Sequence, residues 1–228
     1  MRQKNLIIQE IRFCVKYGIV LMYVFFALFY VIFITAIPNE IREITGTILI
    51  FTDPAAMGLF FMGAIILLEK SQRVNCSLAV SPIKISEYII AKVVSLMFMG
   101  IIIGLIISVA AGNNHLLITA IAIALSSAIF SLWGLVIAQK TESLNSFMIG
   151  TVPCEIIICI PAILYLFDFI KQEIWILHPG VSAIRLMKGQ NDKVVLCMVV
   201  LVVWTIISYA VCYQSTTSYF KKMGGGKL

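Results

Sequence analysis

Two histidines, six cysteines and a few ionisable residues inside apolar runs are the positions from which chemistry could be built in this chain. His115 and His178 have no cysteine or carboxylate at metal-ligand spacing, and neither a Gly-x-Ser-x-Gly elbow nor a His-Glu-x-x-His helix occurs. Cys14, Cys76, Cys154, Cys159, Cys197 and Cys212 lack the close pairing of a zinc site, and most read as small buried hydrophobes. Gly224-Gly225-Gly226-Lys227 has half of a phosphate loop and no helix to follow it, so a flexible tail is expected and not an ATP site. No catalytic residue, metal or cofactor is therefore expected.

Asp53, Glu155 and Lys92 lie within or near apolar runs, where ionisable groups are costly and by default functional candidates. Asp53 precedes Pro54, where a helix break would open toward a water-filled cavity. Glu155 stands between Pro153 and Pro161. For both carboxylates the alternative is structural, capping freed amides or pairing with a neighbouring helix. Lys92, about one turn into its run, is expected to snorkel to the headgroups.

The elements that carry these residues follow from composition. Of 228 residues, 61% are hydrophobic and 12% charged, whereas a soluble domain carries about 25% charge. Two soluble domains are excluded, and one membrane domain fills the chain. The net charge of +6 is expected to reflect loops rich in Lys and Arg. Nucleic-acid binding would call for a basic face with exposed aromatics, and none is visible.

A helical span takes ~20 apolar residues. The runs predict an all-α protein of six spans, at about 17–37, 46–68, 88–111, 116–138, 147–167 and 194–213. The first run is too long for a signal peptide, and no small-residue cleavage site follows it. Residues 5–16 alternate apolar and charged positions as an interfacial helix would. Residues 168–193 are too polar to span and are expected to form short helices re-entering the outer leaflet. Twelve Lys and Arg fall on the side of the N-terminus and five on the other, so both termini are expected inside. Gly100 and Gly104 form a GxxxG helix-packing pair.

The segment 69–87 is short, charged and faces the inner side in this topology. Ser81-Pro82 is an N-cap and first-turn pair, so a helix leading into the third span is expected to start there. Upstream, Glu69 to Val80 is mildly amphipathic, and it suits either a docking element for a soluble partner or a plain solvated loop.

The stretch Glu69-Lys70, then Leu78-Ala79-Val80-Ser81-Pro82, Glu87-Tyr88 and Ala91-Lys92 resembles the membrane subunits of type-2 ATP-binding-cassette exporters. Asp53-Pro54 with Gly58, Phe61 and Gly63, and Gln9-Glu10-Ile11-Arg12 with Lys16-Tyr17-Gly18, look like the fluoroquinolone-export-type permeases. His178-Pro179-Gly180 with Leu186 and Gly189 is similar to that group's outer re-entrant segment. The resemblance covers nearly the whole chain, and its specificity lies in the order and spacing of the motifs.

It implies a permease subunit of the cytoplasmic membrane that pairs with a second permease subunit and is driven by separately encoded ATPase subunits. Carried over by position, Glu69, Lys70 and Arg73, with Glu10 and Arg12 beside them, would form the ATPase-coupling contact. An amphipathic substrate (a drug, peptide or lipid-like molecule) is expected, because spans with so few charges offer an apolar path. The rival classes are a secondary transporter using Asp53 and Glu155 as proton or cation sites, and a membrane assembly factor without transport.

Overall fold

In hydrocarbon a backbone without water must satisfy its own amides and carbonyls, so long apolar runs resolve into helices. A computed structural model describes residues 2–74, 83–170, 172–190 and 192–222 of the chain. Among these residues the regular structure is entirely helical, and six helical stretches are long and apolar enough to cross a membrane. The all-α, multi-pass architecture expected from the sequence is the one observed.

Helix α1 (Arg2–Lys16) precedes the spans and turns into α2 (Ile19–Ala36) at Gly18. Gly18 has φ +75°, a left-handed conformation that side chains disfavour. The second span, Asn39–Ser71, is composite: α3 (Asn39–Ile50), a π-helical turn (Phe51–Ala55) and α4 (Met57–Ser71). Pro54 has no amide proton for the α-helical ladder, and a π turn is one way a helix absorbs that loss.

The third span lies in α5 (Ile85–Ala110), which includes nearly all of the expected 88–111 run but starts after the Ser81-Pro82 pair expected to open its lead-in. Its first turn is closed by Glu87, whose carboxylate accepts the Lys84 amide at 3.1 Å, and Ile83 and Lys84 are not helical. Ser81 and Pro82, expected to start this helix, lie outside the described residues, as does the 75–80 part of the amphipathic segment. Next come α6 (Leu116–Lys140) and α7 (Leu144–Leu166). A 3-10 turn (Glu173–Leu177), a short helix α8 (Pro179–Met187) and α9 (Val194–Lys222) complete the chain.

The most buried span is α6, around which α4, α5 and α9 pack. Its small residues allow this: Ser127 and Ser131 face Gly58 of α4, and Gly134 faces the backbone of Leu59. By contrast α2, α7 and α9 turn large apolar side chains outward, among them Leu21, Phe25, Ile32, Ile149, Ile157, Val195 and Ile206. Gly100 and Gly104 are both buried within this bundle, so the GxxxG pair serves packing inside the chain.

Helix α8 is almost wholly buried, wedged among α6, α7 and α9. The Trp204 indole donates to the Leu177 carbonyl at 3.0 Å and the Ser182 hydroxyl to that of Ile176 at 2.5 Å. At the surface, Glu173 pairs with Lys193 at 2.6 Å, and the Lys193 ammonium holds the Glu173 carboxyl below the ordinary range. Within the polar stretch between the last two spans, α8 thus packs inside the bundle while Glu173 and Lys193 stay at its surface.

Candidate functional site

Helix α1 and the last turns of α9 lie at the same end of the bundle, where Tyr88 near the start of α5 packs edge-on against Phe220 of α9 at 5.6 Å and Lys92 of α5 reaches Glu10 of α1. The same end carries the closing turn of α4, and here lie Glu10, Arg12, Glu69, Lys70, Arg73 and Lys92.

At the centre is Lys92. Its side chain is fully buried and its ammonium reaches Glu69 of α4 at 2.5 Å and Glu10 of α1 at 3.0 Å. Tyr88, one turn before it, donates its hydroxyl to the second Glu69 oxygen at 2.9 Å and sets its ring 4.9 Å from the ammonium. Three elements that carry no local reason to touch are thus joined by one cation. The snorkelling expected of Lys92 does not occur, because the buried Glu69 and the part-buried Glu10 of α1 offer its ammonium partners that the headgroups would otherwise supply. Lys92 and Tyr88 are the site residues that sequence reasoning missed. A signal was present: an acid ending one span and a base one turn into the next sit at matching depth across the connecting segment.

The cluster holds two carboxylates against one ammonium, so the second negative charge is only partly compensated. Burial pushes the Glu10 carboxyl above its ordinary range, Lys92 acts against that shift, and Glu69 adds to it. Beside it the Cys14 thiol is pushed up to about 11, chiefly by burial. A carboxyl whose pKa rises on folding binds its proton more tightly in the folded state. Its contribution to stability is then fully present below the unfolded pKa of about 4.3 and is lost as pH rises through the raised folded value. The expected result is that wild type loses stability relative to Glu10→Gln across that window. At neutral pH the variant should stay within roughly 1 kcal/mol of wild type. Thermal unfolding in detergent at a series of pH values tests this, and a difference of the opposite slope would contradict it.

The other residues expected at the coupling contact separate into two kinds. Lys70 turns inward from its neighbour and donates to the carbonyls of Ala138, Gln139 and Thr141 at 2.8, 3.0 and 2.7 Å. These carbonyls lie in the last turn of α6 and at its cap residue Thr141, and a cation there opposes the negative end of the helix dipole. Arg12 and Arg73 are exposed, with Arg73 at φ 55° in the turn that leaves α4. Between them, Gln72 donates to the Tyr17 hydroxyl at 2.8 Å, a second tie between the α1–α2 turn and the end of α4. Glu10, Glu69 and Lys70 thus act inside the fold, and Arg12 and Arg73 are the members a soluble partner could reach.

The two intramembrane carboxylates lie apart from this cluster and on different elements. Asp53 sits in the π turn and is paired with the Tyr30 hydroxyl of α2. Glu155 is half-buried in the proline-flanked stretch of α7, and one of its oxygens is enclosed without a hydrogen-bond partner. Near it, a cavity of about 350 Å³ opens among α6, α7, α8 and α9, lined by Trp133, Trp204, Pro153, Ile157 and His178. Burial holds the His178 imidazole below its ordinary range, and its Nδ1 is enclosed without a partner. Among the described residues no group of three or more His, Cys, Asp or Glu side chains could hold a metal ion.

A profile described as the fluoroquinolones export permease protein family matches residues 2–222. No curated protein matches the chain.

Proposed function

The chain belongs to the fluoroquinolones export permease protein family, and on that footing we propose that it is the permease subunit of an ATP-driven exporter, powered by separately encoded ATPase subunits. The observation that carries this reading is the buried Glu10–Lys92–Glu69 cluster. It fastens α1 to both spans that flank the 72–84 connection, so a force applied to that connection moves α4 and α5 together instead of bending either one. Since α4 and α5 both pack on α6, the displacement reaches the centre of the bundle.

In this reading the end that carries both termini faces the cytoplasm, in keeping with the excess of Lys and Arg there. Arg12 and Arg73, exposed on α1 and beside the connection, make the ATPase contact. A second permease subunit completes the path against the apolar outward faces of the spans. The cavity beside Trp133 and Trp204 has an almost wholly apolar wall and supports an amphipathic substrate over a small hydrophilic one.

The test is co-expression of the chain with the ATP-binding-cassette ATPase subunits of its source organism. The two should co-purify and hydrolyse ATP in proteoliposomes, with substrate efflux dependent on that hydrolysis. Arg12→Glu with Arg73→Glu should weaken the association roughly tenfold or more and lower efflux in proportion. Membrane insertion and the thermal midpoint of the isolated chain should not change. Efflux unaltered in the double variant, or uphill flux driven by a proton gradient through this chain alone, would overturn the proposal.

A further inference from the structure

A groove of about 670 Å³ runs between the last turns of α6 and α9, at the end of the bundle that carries both termini. Its wall begins with Val136 and Val211 and ends with Gln214, Ser218, Lys140 and Lys222. The depth of this groove can be read from α9. The helix has 29 residues, a length of ~43 Å at 1.5 Å per residue, whereas the hydrocarbon is ~30 Å thick. Its large exposed apolar side chains run from Val195 to Tyr213 and stop, and the next residues are Gln214-Ser215-Thr216-Thr217-Ser218. The final turns therefore extend past the hydrocarbon at headgroup level. The groove straddles that boundary, apolar where acyl chains lie and cationic where phosphates lie.

The groove is held open by specific contacts. Gln139 donates to Thr216 at 2.9 Å and accepts from Ser215 at 3.1 Å, which fixes the spacing of the two helices. Lys70, by occupying the last carbonyls of α6, removes the acceptors that would otherwise repel an anion there. Lys140 and Lys222 are both exposed and stand on opposite walls, one at the end of each helix.

We infer that this groove binds an anionic phospholipid, its phosphate between Lys140 and Lys222 and an acyl chain against Val136 and Val211. Charge complementarity selects the headgroup, and the apolar stretch that continues onto the lipid-facing surface of α9 selects a lipid over a soluble anion. Basic pockets between spans at headgroup depth are recognised sites for such lipids. The site is separate from the Glu10–Lys92–Glu69 cluster and does not depend on the transport reading.

The experiment is native mass spectrometry of the detergent-purified full chain with phosphatidylglycerol or phosphatidylcholine added at equal concentration. Phosphatidylglycerol should be retained with an affinity roughly tenfold to thirtyfold higher, the range expected for two lysines at a membrane surface. Lys140→Ala with Lys222→Ala should remove that preference, and Lys140→Arg with Lys222→Arg should keep it. Lys4→Ala with Lys16→Ala, which removes the same charge from α1, should also leave it intact. Equal retention of the two lipids, or loss of the preference in the α1 variant alone, would overturn the inference. So would complete displacement of phosphatidylglycerol by an equal concentration of soluble glycerol phosphate, which would mark a free-phosphate site.

Discussion

Replacing Lys92 with methionine should destabilise the folded protein by about 3–5 kcal/mol, the cost of leaving buried carboxylates without their cation. Methionine matches the length of the lysine stem, so packing is nearly preserved and the loss reports charge. Glu69 and Glu10 would then face each other within the bundle, with only the Tyr88 hydroxyl left to bond Glu69. Thermal unfolding in detergent micelles and the monodisperse fraction after solubilisation are the readouts. The triple variant Lys92→Met, Glu69→Gln, Glu10→Gln should recover at least half of the lost stability, because it removes the stranded charges with the cation. A Lys92→Met variant within about 1 kcal/mol of wild type would mean that Lys92 is not committed to this cluster. The difference between single and triple variants also isolates the coupling among the three residues.

The second large effect is expected at Gly134, where α6 meets α4. A β-carbon there would stand 2.9 Å from the Leu59 α-carbon and collide with the Leu59 carbonyl oxygen. Both obstacles are backbone, so neither can rotate aside. Gly134→Ala gains about 1 kcal/mol of helix propensity, yet it should still lower stability by roughly 1–3 kcal/mol as the helices are forced apart. Gly134→Val should abolish recovery of folded protein. Gly150→Ala is the matched control, because its β-carbon meets side chains and no backbone, Ile137 at 3.0 Å and Thr141 at 3.9 Å, and side chains can give way. Under the function proposed above, Gly134→Ala should also reduce ATP-dependent efflux more than it reduces hydrolysis, because in that reading motion passes from α4 to α6 through this contact. Equal thermal midpoints for the two alanine variants would show that the α4–α6 approach is not as tight as the geometry requires.

Several features were legible before any fold was known. Charge-poor runs broken at Asn39-Glu40, Glu69-Lys70, Asn113-Asn114, Gln139-Lys140 and the polar stretch 168–193 already delimit six membrane-length helices. Pro54 marks the irregular turn of the second span, and the polar residues of 168–193 mark a segment that cannot cross. The partial misreadings have a common cause. Glu69 and Lys70 are neighbours in the chain, but one turns to Lys92 and the other to the end of α6. Lys92 reads in sequence as a snorkelling lysine because it stands about one turn into its run, within reach of the headgroups. Its partner Glu10 lies far away in sequence.

What the sequence determines here is that six stretches form helices long and apolar enough to cross a membrane, since a backbone in hydrocarbon has few alternatives to the helix. It also determines where Lys and Arg accumulate, which sets the sense of insertion. Tertiary structure alone decides which way each ionisable side chain turns. Adjacent helical residues point about 100° apart, and uniformly apolar faces leave rotation about the axis to packing. That rotation makes Glu10, Glu69 and Lys92 one buried cluster and leaves Arg12 and Arg73 on the surface.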